Sequence, residues 1–156
     1  MKTLIYATAV TLFVASTVPA FAKSPNDAKV THLGNSAAIP NYAQFPGATH
    51  KFNVYVQGEA ISELRIDLPE DIKIKQGIEV QNQSGKRIPA TVDINAREAT
   101  LTFSEPIAAG NSILVMMNGI KTPGYQKTWH YPVYIKKVGM TEEIPLGLAR
   151  VQTYGS

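Results

Sequence analysis

The chain reads as all-β: an antiparallel sandwich of about seven to eight strands behind an irregular N-terminal leader. Apolar side chains recur with a period of two through most of the sequence after His50, and clusters of Gly, Pro and Asn break the pattern about every ten residues. No helical stripe appears in that part of the chain. With 44% hydrophobic and 17% charged residues among 156, the sequence can bury one core and is too apolar to be disordered.

The strands follow in order. Phe52, Val54 and Val56 alternate with Lys51, Asn53 and Tyr55, and Leu64, Ile66 and Leu68 alternate with Glu63, Arg65 and Asp67. Residues 78–81 and 88–94 lie on either side of Gln83-Ser84-Gly85-Lys86, and Ala90, Val92 and Ile94 repeat the alternation. Asn95-Ala96-Arg97-Glu98 has the length and composition of a hairpin loop leading to Leu101 and Phe103. Ile113-Leu114-Val115-Met116-Met117 is apolar on both faces, as a strand near the centre of a sandwich would be. Tyr131-Pro132-Val133-Tyr134-Ile135 and residues 148–154 supply the last two strands, and Thr141-Glu142-Glu143-Ile144 has room for a single helical turn.

The N-terminus obeys different rules. Lys2 is its only charge, an apolar run follows over residues 4–18, and Pro19 precedes Ala20-Phe21-Ala22. That is the layout of a signal peptide over residues 1–22, cleaved after Ala22. Residues 23–47 carry Pro25, Gly34, Pro40 and Pro46 without a periodic apolar face, so they read as an irregular leader or, in the functional alternative, as a donated strand or tether. Residues 48–156 form the sandwich, and no second apolar stretch reaches membrane-spanning length, so no transmembrane anchor is expected in the processed chain.

Chemistry is sparsely signalled. The chain contains no cysteine, which excludes disulfides, thiol catalysis and cysteine-bound metals, and its net charge of +3 is spread without a basic block, against nucleic-acid binding. Gly-x-Ser-x-Gly, His-Glu-x-x-His, the Walker loop and the dinucleotide fingerprint are all missing, so no catalytic residue and no cofactor is assigned. Glu70-Asp71 and Glu142-Glu143 read as solvated turns rather than an acid–base pair, and Asn82-Gln83-Ser84 is a bare glycosylation sequon. His50 and His130 are weak metal candidates, with Met116, Met117 or Met140 as thioether partners for copper, although adjacent methionines on a strand face opposite ways. Tyr125-Gln126-Lys127-Thr128-Trp129-His130-Tyr131 concentrates aromatic residues with polar tips, the composition of a recognition surface. It is read either as a partner-contact patch of Tyr125, Trp129, His130 and Tyr131, or as core, with Trp129 capping one end of the sandwich and Tyr131 entering it.

Three pieces of sequence also carry a likeness. They are Gly47-Ala48-Thr49-His50-Lys51-Phe52, the run from Ser104-Glu105-Pro106 through Gly110-Asn111-Ser112, and Tyr131-Pro132-Val133 followed by Ile144-Pro145-Leu146-Gly147-Leu148-Ala149-Arg150. Together they resemble a family of exported cyanobacterial domains of unknown function, over about two-thirds of the chain and excluding residues 23–46. The resemblance implies a secreted or periplasmic immunoglobulin-like sandwich with no assigned reaction; in a cyanobacterium the same class of signal peptide serves the periplasm, the cell exterior and the thylakoid lumen. The chain is also similar to periplasmic copper-binding sandwiches, but Pro123-Gly124-Tyr125 stands where their Asp-Gly-His turn would be. The expected function is therefore non-enzymatic contact with an envelope or lumenal protein; metal binding and an unrecognised hydrolase are the alternatives.

Overall fold

Period-two alternation buries one face of a strand, and such faces must meet one another. Among residues 29–155, which this computed structural model describes, the alternating segments become ten strands and no helix. The expected signal peptide at 1–22 and the first part of the leader, 23–28, lie outside the described residues. The strands are β1 His32–Ile39, β2 Ala48–Tyr55, β3 Ile61–Asp67, β4 Lys73–Ile74 and β5 Ile78–Asn82, then β6 Ala90–Ile94, β7 Glu98–Ile107, β8 Ser112–Lys121, β9 Lys127–Lys137 and β10 Ile144–Thr153. One sheet runs β1-β2-β8, with β4 and β5 sharing the far side of β8; the other runs β10-β9-β3-β7-β6. Every strand pairing is antiparallel.

The central strand of the first sheet is the one apolar on both faces. Ile113, Val115 and Met117 of β8 point inward and are buried, while Leu114 and Met116 are half-covered on the outer face. Phe52 and Val54 of β2 meet Leu64 and Ile66 of β3, Leu101 of β7 and Val133 and Ile135 of β9 in a single core. The β6–β7 connection is the expected hairpin: Asn95 Oδ1 accepts from the backbone N–H groups of Arg97 and Glu98, both at 2.9 Å. By contrast, β5 and β6 lie in different sheets, so residues 83–89 carry the chain across the open side of the sandwich.

Two expectations need correction. Residues 23–47 are not an irregular leader throughout, because His32–Ile39 pairs with β2 as an edge strand. Its periodicity is hidden by a register shift between Leu33 and Ser36, and Gly34 stands where any side chain would collide with the Tyr55 ring. With the two-residue β4, this accounts for ten strands where seven to eight were expected. Thr141-Glu142-Glu143 forms a bend rather than a helical turn. Glu143 instead reaches Arg65, accepting from it at 2.8 Å, and Asp67 and Glu98 bind the same guanidinium, which lies over the Tyr134 ring. The hydrogen bond that Arg65 donates to Glu143 leads the interactions that raise the Arg65 pKa further, so this cluster is a fixed charge on the outer sheet face.

One side of the sandwich is shut by hydrogen bonds between its edges. Ser36 Oγ on β1 donates to the Arg150 carbonyl on β10, and beyond the strand ends Tyr42 and Tyr154 form a parallel bridge.

The packing yields two expectations. Val115→Asp buries an unpaired charge at a fully enclosed site and should cost several kcal/mol, about the whole stability of a marginal domain, whereas Lys51→Ala should stay within about 0.5 kcal/mol. Gly119 has φ +65°, and an added Cβ would lie 2.9 Å from the Gln76 backbone nitrogen, so Gly119→Ala should lower the urea midpoint by the equivalent of about 1 kcal/mol or more.

Candidate functional site

Strand alternation divides the aromatic stretch in two. Trp129 and Tyr131 are inward positions of β9 and are 1% and 0% exposed. They cannot form a contact surface, which corrects their assignment to a partner patch; the core reading holds for both. Trp129 Nε1 donates to Thr153 Oγ1 at 3.2 Å, so its polar tip is satisfied inside. His130 is exposed on the outer face, and Tyr125, in the loop before β9, is 48% exposed. Lys127 spans the division, with Nζ 4.7 Å from the Trp129 ring centroid and 6.0 Å from that of Tyr125.

The metal set fails on the same geometry. His50 points into the core from β2, in one sheet, while His130 points to solvent from β9, in the other. Met117 is buried opposite His50, Met116 faces outward, and Met140 lies in the exposed β9–β10 loop. Among the described residues no group of three or more His, Asp or Glu converges on one point. Glu70 and Asp71 are exposed, as expected of a turn. Asn82 of the sequon uses its Oδ1 to hold the turn, accepting from the N–H groups of Ser84 and Lys86.

His50 is instead half of a buried polar pair. Its Nδ1 lies 2.6 Å from the Tyr131 hydroxyl, and the rings meet edge to face at 82°. Nε2 is enclosed without a hydrogen-bond partner among the described residues. If Nδ1 carried the proton, both the hydroxyl hydrogen and the Nε2 lone pair would go unmet; with the hydroxyl donating to Nδ1, only the Nε2 hydrogen does. Tyr131 is therefore the donor. The strand-register neighbours of His50 are Ala38 on β1 and Met117 on β8, and Tyr131 is the titratable group facing it from the opposite sheet. Burial lowers the His50 pKa from 6.5 to about 4 and raises that of Tyr131.

The exposed aromatic residues are elsewhere, and only one of them belongs to the expected patch. Tyr42, Phe45, Tyr125 and Tyr154 are 40–48% exposed, and all lie at the end of the sandwich where β1, β8 and β10 finish and β2 and β9 begin. Hydrogen bonds hold their loops together. Ala43 N donates to the Tyr154 carbonyl at 2.8 Å, Tyr154 N to the Asn41 carbonyl at 2.7 Å, and Thr122 Oγ1 to the Ala43 carbonyl at 3.2 Å. Beside them a groove of about 360 Å³ is floored by Ile120 and walled by Phe45 and Pro46. The signal available in sequence was large apolar residues, Tyr42 and Phe45, placed in a Pro-bounded segment with no period to bury them.

Two stacked antiparallel sheets with their aromatic loops at one end define an immunoglobulin-like β-sandwich domain. The crystal structure of BslA, a bacterial hydrophobin, superposes on it with a TM-score of 0.57 at 8% identity, covering 81% of this chain and 95% of that one. An uncharacterised protein from Nocardia farcinica with an immunoglobulin-like fold gives a TM-score of 0.51 at 15% identity, over 79% of this chain and 98% of that one. At such identities the likeness concerns the fold alone. No curated protein matches the sequence. The chain belongs to the family described as protein of unknown function DUF2808, whose model matches residues 21–152. The match takes in residues 23–46, which the sequence resemblance had left out.

The buried pair sets a pH dependence. Because His50 titrates near 6.5 unfolded and about 4 folded, its neutral form stabilises the fold fully above pH 6.5, and that contribution drains away as pH falls toward 4. The loss amounts to about 3 kcal/mol over the window, and His50→Phe should flatten it in urea titrations followed by Trp129 fluorescence, whatever its effect at neutral pH. Tyr131→Phe, which leaves Nδ1 unmatched, should cost about 1–2 kcal/mol at pH 7.

Proposed function

We propose that this chain is an exported, non-enzymatic contact protein of the envelope, acting in the periplasm, at the cell exterior or in the thylakoid lumen of a cyanobacterium, through the aromatic end of its sandwich. The observation that carries this reading is the gathering of all four exposed aromatic side chains among the described residues at one end, on loops already tied in place. A surface that is ordered before contact loses little entropy on binding, and tyrosine combines a large apolar face with a hydroxyl that tolerates water. Export rests on the N-terminal layout of Lys2, the apolar run and Ala20-Phe21-Ala22.

A non-enzymatic role is supported by where the perturbed ionisable groups lie. His50 and Tyr131 are sealed in the core, and Arg65 is neutralised by three carboxylates on an outer sheet face; none of the three lines the aromatic groove.

The test is site-specific photo-crosslinking in the native host. A crosslinker at Tyr125 or Tyr42 should give one dominant adduct, and the same group at Thr91, on a far edge strand, should give none. Equal labelling from the two places, or none from the aromatic end, would overturn the reading. Phe45→Ser with Tyr125→Ser should reduce the adduct formed from Tyr42 at least fivefold without moving the melting temperature. Trp129→Ala should instead destabilise the protein by about 3 kcal/mol or more, because it empties the core. N-terminal sequencing of the exported protein should begin at Lys23.

A further inference from the structure

The aromatic end carries charge as well as rings. β4 sets Lys73 directly opposite Lys121 of β8, and Lys75 follows two residues later on the same side of the chain. Like charges in direct cross-strand register repel one another. All three lysines are exposed, and none forms an ion pair among the described residues. Lysine on an edge strand is a common guard against edge-to-edge pairing, and that suffices for Lys73 and Lys75. It does not account for Lys121, which belongs to the central strand of the sheet. Lys75 and Lys121 line the same groove as Phe45 and Pro46, so the cationic rim and the apolar wall face one space. Glu70 and Asp71 stand in the adjoining depression with Lys73 and Lys121, and Asp71 lies 3.5 Å from the Tyr125 hydroxyl. The cluster keeps a net positive charge beside them.

Tyrosine and phenylalanine at loop tips, ringed by lysines without partners, match the layering of a bilayer surface. Aromatic rings settle at the headgroup level, lysine stems lie along apolar surface, and their ammonium groups meet lipid phosphates. We propose that this end of the sandwich docks on an anionic lipid bilayer, with Phe45 and Tyr125 entering the interface and Lys73, Lys75 and Lys121 held against the phosphates. The proposal rests on the contact reading above and names the surface contacted. Charge complementarity selects a bilayer bearing anionic lipid over a neutral one, and the exposed rings select a lipid interface over a purely polar polyanion.

The experiment is co-sedimentation of the protein, purified from its native host, with vesicles of phosphatidylglycerol and phosphatidylcholine in equal parts and with vesicles of phosphatidylcholine alone. The protein should sediment with the first and stay in solution with the second. Binding should vanish near 1 M salt, where the Debye length is about 3 Å. Changing Lys73, Lys75 and Lys121 together to Ser should lower the bound-to-free ratio by roughly a hundredfold, at about fivefold per lysine. Phe45→Ser with Tyr125→Ser should lower it at least tenfold, while Val138→Ser with Met140→Ser, in the exposed loop at the opposite end, should leave it unchanged. All of these sites are exposed, and circular dichroism should show unaltered folding. Equal binding to both vesicle types, or binding indifferent to the three lysines, overturns the proposal. So does saturable binding to poly-glutamate that excludes vesicles, which would point to an acidic protein instead. Absence of vesicle binding alongside a persistent protein adduct at Tyr125 would overturn lipid docking and leave the contact reading standing; absence of both would overturn both.

Discussion

With no cysteine, no disulfide cross-links the two sheets, and everything else in the molecule depends on how well their inner faces interlock. The apolar part of that contact is non-directional: Phe52, Leu64, Leu101 and Val133 would exclude water in more than one relative placement of the sheets. The bond from Tyr131 to His50 is directional. It links β9 of one sheet to β2 of the other, and it survives only when the two strands stand at the right height and spacing. A neutral imidazole can be held there because its surroundings supply no charge to pull a proton onto it. The Nε2 hydrogen left without a partner is the cost of specifying alignment with a polar group.

The two sides of the sandwich are treated differently. On one, β1 and β10 close against each other through Ser36 and Arg150, and the bridge between Tyr42 and Tyr154 continues the seam past the strand ends. On the other, residues 83–89 cross between the sheets, and the inward side chains of β6 are only partly covered. The seam explains why the aromatic end is ordered. The loop after β1 and the segment after β10 have no sheet of their own to follow, and their backbone groups are satisfied by one another.

Most of the sheet framework was legible because a strand with one buried face writes its orientation into the sequence. Phe52 and Val54, Leu64 and Ile66, and Ile113 through Met117 all lie as the alternation implies. β1 escaped because Gly34, Asn35 and a register shift interrupt its period, and because an edge strand buries too little to need one. β4, with two residues, is below any periodicity. The candidate site was legible only at Tyr125. Sequence neighbourhood groups residues along a strand, but a strand sends neighbours to opposite faces, so Trp129 and His130 were never able to share a surface. Tyr42, Phe45 and Tyr154 join Tyr125 from separate segments, brought together by tertiary hydrogen bonds that leave no local mark.

A β-sandwich that exposes large aromatic side chains risks associating with copies of itself, and where those side chains sit decides whether it does. On an edge strand they would add side-chain attraction to free backbone donors and acceptors, the combination that templates aggregation. Here the four exposed rings stand on loops beyond the strand ends, where neighbouring segments already occupy the backbone groups; of the edge strands at this end, β1 and β10 close against each other and β4 is short and carries lysine. Two copies approaching end to end would bring Lys73, Lys75 and Lys121 of one against those of the other, so the charge that suits an anionic partner also resists self-contact. This end of the sandwich thus presents its exposed aromatic side chains without also presenting a sheet edge.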